Sequence, residues 1–194
     1  MSDPNATNSI VIKPQWFCRV WVDKAPERNA KARLVGPQDI REFNSAKASG
    51  KAIPDGFLLL FCTISTNSSE PIVGKKIELY YRKEASNDWL KAKLTANAFS
   101  NGQLPSLEIY PGKIIPNPVQ HNIVTKRLII NRQRDLRGYL ISPLLNPLMD
   151  IGILRSQSQQ NKLKGFIKLV LYSQLGTVFE TTESVDEVPA FLNI

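Results

Sequence analysis

The stretch "GFIKLVLYSQLGTVFETT", residues 165 to 182, decides the fold class. Apolar side chains recur at every second position from Ile167 to Leu171, which is the period of a β-strand with one apolar face. Gln174-Leu175-Gly176 supplies a turn, so residues 176 to 182 are expected to run back beside the first strand. The stretch therefore predicts an antiparallel hairpin in a β-rich protein.

Strand patterns cover much of the remaining chain. In "FLLLFCTIST", residues 57 to 66, apolar side chains occupy consecutive positions, which is typical of a strand buried on both faces. Residues 122 to 130 and 138 to 142 are predicted strands on either side of a charged loop. Residues 75 to 83 and 88 to 96 alternate as a hairpin with one apolar and one basic face. The basic face of that hairpin carries Lys76, Arg82, Lys91 and Lys93.

Two short helices and one extended loop complete the predicted elements. Pro37 begins a helix over residues 37 to 49, and Asn146 caps a second helix over residues 146 to 154. Three prolines make residues 111 to 118 an extended loop. The predicted class is α+β and β-rich, with about eight mainly antiparallel strands and two short helices in a single domain. The expected organisation is a flexible N-terminal arm at residues 1 to 14, the β-rich domain at residues 15 to 183, and an acidic and apolar C-terminal tail at residues 184 to 194.

Composition limits the class of protein. With 194 residues and 42% hydrophobic side chains, the chain can bury a core, which excludes the fully disordered class. No run approaches the roughly 20 apolar residues that cross a bilayer, and the N-terminus lacks the pattern of a secretory signal. An intracellular, cytoplasmic protein is expected, located in the virion if it is viral. Cys18 and Cys62 lie in apolar runs and are predicted to be buried, reduced thiols.

The net charge of +8 is unevenly distributed. Between Lys113 and Lys168, ten basic side chains stand against two acidic ones, whereas four acidic and no basic side chains follow Thr177. This asymmetry indicates an anionic partner, either RNA or a nucleocapsid, or an acidic membrane surface. A basic middle and an acidic tail also favour self-association as a homo-oligomer.

Two basic runs are the candidate nucleic-acid or anionic-surface binding residues. Arginine offers planar, paired donors that match phosphate oxygens, and four of the five residues in the first run are arginines. If the two runs are neighbours in space, they form one patch; the other interpretation of the first run is a solvated loop tip. The first run is Lys126, Arg127, Arg132, Arg134 and Arg137, and the second is Arg155, Lys162, Lys164 and Lys168.

Tryptophans beside basic residues are candidates for stacking on nucleic-acid bases. Residues 17 to 23 alternate as a further predicted strand, with Trp21 two positions from Arg19 on its polar face, and Trp89 lies two positions from Lys91. Aromatic rings of this kind bind single-stranded bases. Core packing or contact with a protein partner is the alternative role for both rings.

Catalytic motifs are missing from the sequence. It contains no G-x-S-x-G, H-E-x-x-H, phosphate-binding glycine loop or dinucleotide-binding glycine pattern. His121 is the only histidine and stands in a proline-flanked loop, and two cysteines with one histidine do not make a standard zinc set. The protein is therefore expected not to be an enzyme, with no catalytic residue, no metal and no cofactor.

The segment "NPLMDIGILRSQSQQNKLKGFIKLVLYS", residues 146 to 173, resembles the matrix proteins of rhabdoviruses, the plant-infecting type in particular. The matching positions are Ile151, Gly152, Lys164, Gly165, Ile167, Leu169 and Tyr172. The resemblance implies a non-enzymatic, basic viral structural protein that binds a nucleocapsid or RNA and an acidic membrane surface, and that self-associates. The budding motifs P-P-x-Y and P-[ST]-A-P are absent from this sequence.

A second segment points to a different class. Residues 70 to 83 and 89 to 104 resemble transthyretin-like β-sandwich modules, which implies an assembly module of a phage or injection-tail particle. A nucleic-acid-binding accessory protein, of the movement or silencing-suppressor type, is a further alternative. The three functions stay open at the level of the sequence.

Overall fold

Alternating and continuous apolar runs become twelve strands in the described part of the chain. In a computed structural model, the described residues are 10–22, 32–34, 45, 48–50, 55–82, 88–95, 107–110, 113–115, 121–144, 154–155 and 163–186. The strands are β1 (Ile10–Val22), β2 (Ala32–Leu34), β3 (Asp55–Thr66), β4 (Ile72–Arg82), β5 (Trp89–Lys91), β6 (Leu107–Tyr110), β7 (Lys113–Ile115), β8 (Ile129–Ile130), β9 (Leu136–Leu144), β10 (Leu154–Arg155), β11 (Leu163–Ser173) and β12 (Val178–Asp186). Within these residues the one helical element with defined ends is the 3-10 helix Ile123–Thr125.

The first sheet has the strand order β2-β1-β3-β9, with antiparallel pairing throughout. Strand β3 lies in the middle, where Leu60 pairs with Phe17 of β1 and with Leu140 of β9. The register of β1 against β3 shifts between Pro14 and Trp16. Proline has no amide hydrogen to donate to a neighbouring strand, so a bulge is the usual accommodation for it inside a sheet.

The second sheet has the order β10-β11-β4-β5, while β12 pairs with β11 and β8 pairs with β4. The predicted hairpin is confirmed as β11 and β12, in which Leu171 pairs with Phe179. Gly176 adopts a φ of 84° in the turn, a conformation that glycine tolerates without strain. The amide of Ser173 donates to the carbonyl of Thr177 at 2.8 Å and closes the hairpin.

The two sheets pack face to face as a β-sandwich, because a single buried cluster takes side chains from both. Strand β3 is buried on both faces, as predicted: Leu58 and Leu60 belong to this cluster, while Phe57 and Leu59 are buried on the opposite face. The described residues thus confirm a β-rich, mainly antiparallel protein. The cluster includes Phe17, Leu60, Cys62 and Leu140 from the first sheet, and Ile77, Leu79, Ile167, Leu169, Leu171 and Val185 from the second.

The prediction of two short helices is not supported by the described residues. Leu154, placed at the end of the second helix, is a strand residue of β10, and residues 146 to 153 lie outside the described part. Most of residues 37 to 49 lie outside it as well; within that segment the amide of Ser49 donates to the carbonyl of Ser45 at 3.0 Å.

The 3-10 helix occurs where a strand was predicted, in residues 122 to 130. The Asn122 side chain accepts a hydrogen bond from the Val124 amide and caps the helix, so this local bond replaces strand pairing. Only Ile129 and Ile130 of the segment form a strand, β8, and they pair with Val73 and Ile72 of β4.

Three boundaries also differ from the prediction. Ile10–Pro14, assigned to the flexible arm, belong to β1 and pair with residues 62 to 66 of β3. Strand β12 continues to Asp186, past the expected end of the domain at residue 183. Lys113–Ile115, inside the predicted proline-rich loop, forms β7 against β6. In each case a partner strand supplies the backbone hydrogen bonds that the local sequence does not reveal.

Both cysteines are buried and neither forms a disulfide, as predicted. Burial raises the pKa of the Cys62 thiol to about 12. A thiol with so high a pKa is almost entirely protonated at neutral pH, and it therefore behaves as a small apolar side chain.

Candidate anion-binding surfaces

The first basic run lies where the chain crosses from one sheet to the other. Strand β8 pairs with β4 of the second sheet, and β9 pairs with β3 of the first. The connection between β8 and β9, residues 131 to 135, is therefore a link between sheets rather than the tip of a simple hairpin. We call the basic residues on and around this link the arginine turn: Lys126, Arg127, Arg132, Arg134 and Arg137.

Asn131 holds the arginine turn in shape. Its side-chain oxygen accepts hydrogen bonds from the amides of Gln133, at 3.1 Å, and Arg134, at 2.8 Å. This is an Asx turn, in which a side chain replaces a backbone acceptor. Arg127, Arg132, Arg134 and Arg137 are exposed, and Arg137 forms an ion pair with Asp135 at 3.2 Å.

The second basic run lies elsewhere in the fold. Lys168 is in the middle of β11 and pairs with Tyr80 of β4, whereas the arginine turn follows Ile130, which pairs with Ile72. Tyr80 and Ile72 are eight residues apart, or roughly 26 Å along the strand. Lys168, the member of the second run whose side chain is described, is therefore too far from the arginine turn to form one patch with it. Arg155 and Lys164 are described only as backbone, in β10 and β11, and Lys162 lies outside the described residues.

A different group of side chains comes together on the outer face of the second sheet, the face opposite the core. Lys76, Glu78, Tyr80 and Arg82 alternate along β4 with the buried Ile77 and Leu79 and so point outward. Pairing with β5 and β11 adds further outward side chains to the same face. We call this group the aromatic–basic face: Lys76, Tyr80, Arg82, Trp89, Lys91, Phe166, Lys168 and Tyr172, arranged around Glu78.

Cations and rings interleave across this face. The Arg82 guanidinium lies 4.3 Å from the Phe166 ring centre and 5.8 Å from that of Trp89. The Lys168 ammonium lies 5.0 Å from the Tyr80 ring centre and 5.2 Å from that of Trp89. Each distance is within the range of a cation–π interaction.

Glu78 lies at the centre of the face, with a side chain that is only 4% exposed. Lys76 approaches one carboxylate oxygen at 2.5 Å, and Lys91 donates to the same oxygen. The hydroxyls of Tyr80 and Tyr172 donate to the other oxygen at 2.6 and 3.0 Å. Burial opposes ionisation of Glu78, but these four hydrogen bonds outweigh it and lower its pKa to about 2.

The same contacts act on the groups around the carboxylate. The hydrogen bond to Glu78 raises the pKa of Tyr80 to about 12, with burial as the second cause, and it also raises the pKa of Lys76. At neutral pH the centre of the face therefore holds an ionised Glu78 carboxylate, a neutral Tyr80 phenol and a charged Lys76 ammonium group. Glu78 thus joins four side chains from three neighbouring strands.

Sequence reasoning found only part of this face. It placed Lys76, Arg82 and Lys91 on one basic side of a hairpin and proposed Trp89 for stacking, but it missed Tyr80, Phe166 and Tyr172. The signal that could have found them is the alternation of "KKIELYYRK" and "GFIKLVLYS", which sets an aromatic ring and a cation on the same face of each strand.

The first sheet carries a smaller aromatic cluster on its outer face. The Trp16 ring stacks on Phe61 with centres 5.4 Å apart, and Tyr139 contacts both rings at 5.9 and 5.2 Å. Trp16 and Phe61 are partly exposed. Burial is the main cause that raises the pKa of Tyr139 to about 12, and the electrostatic interaction with Cys18 is the second cause.

The expected stacking role of Trp21 is not visible in the described side chains, which do not include it. Its predicted neighbour Arg19 is only 5% exposed and pairs with Leu58 on the core side of the first sheet. The face that it shares with Phe17 is therefore an interior face and not the polar face that the sequence suggested.

The described residues contain neither a metal-binding cluster nor a membrane-spanning helix. No group of three or more His, Cys, Asp or Glu side chains in the described part of the chain is placed to hold a metal ion. No helix there is long and apolar enough to span a bilayer.

No protein-family model matches the chain, and no curated protein or solved structure shows significant similarity to it.

Proposed function

We propose that the protein binds single-stranded RNA through the aromatic–basic face. The observation that supports the proposal is the interleaving of four cations with four rings on three adjacent strands. Proteins that bind single strands combine cations, which attract the phosphates, with rings on which the bases stack. The face offers both kinds of group within contact distance of one another.

The free cations of the face favour phosphate binding. Lys76 and Lys91 are partly neutralised by Glu78, whereas Arg82 and Lys168 have no carboxylate partner among the described residues. Their charged groups contact aromatic rings, which attract a cation without neutralising it. A phosphate oxygen would complete the coordination of the guanidinium and the ammonium from the solvent side.

The rings favour a single strand over other anionic partners. In a duplex the faces of the bases are covered by their neighbours, so Trp89 and Phe166 would have nothing to stack on. An acidic lipid surface supplies negative charge but no flat aromatic surface. The proposed ligand is accordingly an RNA segment whose bases are unpaired.

In its broader form the proposal is a non-enzymatic, matrix-like viral structural protein that binds RNA or a nucleocapsid and an acidic membrane surface, and that self-associates. The net charge of +8 and the RNA-binding face suit such a role. A nucleic-acid-binding accessory protein would use the same face, so the binding experiment below applies to both.

A β-sandwich assembly module is a second candidate, favoured by the face-to-face packing of the two sheets. Strand β12 pairs with β11 alone among the described strands and most of its described side chains are exposed, although part of it lies close to β1. For this function we expect concentration-dependent oligomers in sedimentation velocity without RNA. A monomer at all concentrations would reject it.

The charge of the face is tested by measuring the affinity for a single-stranded oligouridine as a function of salt concentration. The logarithm of the affinity is expected to fall linearly with the logarithm of the salt concentration, by about 0.7 per phosphate contact. Lys168→Gln should reduce that slope by about 0.7. The control is Lys75→Gln, which removes the same charge from an exposed residue outside the face and should leave the slope unchanged. Equal effects of the two substitutions would indicate a general attraction to a basic protein and would reject the site.

The rings are tested separately from the charges. Trp89→Ala is expected to weaken binding by about 1–3 kcal/mol, the loss of one stacked base, while the salt slope stays as in the wild type. Thermal unfolding of the variant shows whether the fold is retained. An affinity that does not change in a folded variant would exclude base stacking on Trp89.

A further inference from the structure

We infer that the protein has a second nucleic-acid-binding surface, on the outer face of the first sheet, and that one molecule thereby bridges two RNA segments. This inference rests on the proposed function for the first of the two surfaces. The second surface combines the arginine turn with the partly exposed Trp16 and Phe61 rings, which contact the buried Tyr139 ring.

Strand register brings the arginine turn next to those rings. Thr63 of β3 pairs with Arg137 on one side and with Lys13 on the other, so two exposed cations flank one position. Two residues along the strands, Phe61 pairs with both Tyr139 and Trp16. The cations and the rings are thus in adjacent rows on the same face, roughly 7 Å apart.

The turn extends this surface into solvent. Arg132 and Arg134 are exposed on the Asn131-capped link that leads directly into β9. Asp135 neutralises part of the charge of Arg137, at 3.2 Å, but the other two arginines have no carboxylate partner in the described part of the chain. Charge complementarity therefore favours a phosphate chain here, and the partly exposed Trp16 and Phe61 rings favour one with unpaired bases.

The two surfaces are on opposite sides of the sandwich. The aromatic–basic face is the outer face of the second sheet, and Lys13, Phe61 and Arg137 are on the outer face of the first. The shared core lies between them, with the sheets about 10 Å apart. The two surfaces share no residue, so two oligonucleotides can occupy them at once.

The experiment is a capture assay with two 10-nucleotide oligouridines, one immobilised and one fluorescent. We expect the wild-type protein to retain the fluorescent oligonucleotide, and calorimetry to give two oligonucleotides per chain. The double variants K13Q/R137Q and K91Q/K168Q each remove two cations from one surface. Each should bind one oligonucleotide per chain and reduce capture at least tenfold.

A stoichiometry of one in the wild type would overturn the inference, as would unchanged capture by K13Q/R137Q. The second result would mean that bridging arises from self-association, which sedimentation at the same concentration would show directly. Failure of the proposed function has a different signature: K91Q/K168Q would then bind with the wild-type stoichiometry and affinity. If the wild-type protein bound no oligouridine at low salt, both proposals would be rejected together.

Discussion

Replacing Gly138 with alanine is expected to destabilise the protein by about 3 kcal/mol, the upper end of the usual range for an overpacked interior. A Cβ atom at this position would lie 2.2 Å from the carbonyl oxygen of His121 and 3.0 Å from Ile123. The nearest atom belongs to the backbone, and that carbonyl accepts a hydrogen bond from the Tyr139 amide. Relief of the clash would therefore break a backbone bond and move the buried Ile123 out of the core.

The measurement is urea denaturation of the wild type and the variant, compared with Gly176→Ala. Gly176 has open space around it but a φ of 84°, so alanine there costs only the left-handed conformation, about 1–2 kcal/mol. A loss for Gly138→Ala no larger than for Gly176→Ala would show that the 121–125 segment yields easily. Strand β9, which follows the arginine turn, would then not be held rigidly by the 121–125 segment.

Local periodicity was sufficient to predict the strands of the core. The alternation of residues 165 to 173 and the continuous apolar run of residues 57 to 66 identify β11 and β3, because the signal lies within each segment. The arrangement of the sheets was not predictable in this way. Strand β8 pairs with β4 from 56 to 58 residues away, and no feature of "LII" indicates that partner.

The candidate surfaces also depend partly on signals within one segment and partly on pairing between distant segments. Exposed arginines at 132, 134 and 137 follow from a charged turn between apolar segments, and their role in binding RNA remains a prediction. The aromatic–basic face depends on long-range register: Tyr172 meets Glu78 from 94 residues away. In the sequence, nothing distinguishes Glu78 from the other charges of its alternating strand, yet side chains from two neighbouring strands help to bury it.

Replacing Glu78 with glutamine is expected to lower the free energy of unfolding at pH 7 by roughly 1.5–3 kcal/mol, the range for hydrogen bonds to a charged group. Lys76 and Lys91 would each lose a charged partner, and the amide nitrogen of glutamine would face donors instead of accepting from them. The control is Glu180→Gln on β12, an exposed carboxylate whose replacement should change stability by no more than about 0.5 kcal/mol.

The pH dependence distinguishes the loss of the charge from a loss of packing. Because the pKa of Glu78 is lowered from 4.5 to about 2 in the folded state, its ionisation stabilises the protein fully above pH 4.5. That contribution is lost as the pH falls from 4.5 through 2, and below this pKa the carboxyl is protonated in both states. The stability difference between the wild type and Glu78→Gln should therefore shrink over this range in urea denaturation at pH 7, 4 and 3. A difference that stays constant would mean that the shape of the side chain, and not its charge, holds Tyr80, Tyr172 and the two lysines in place.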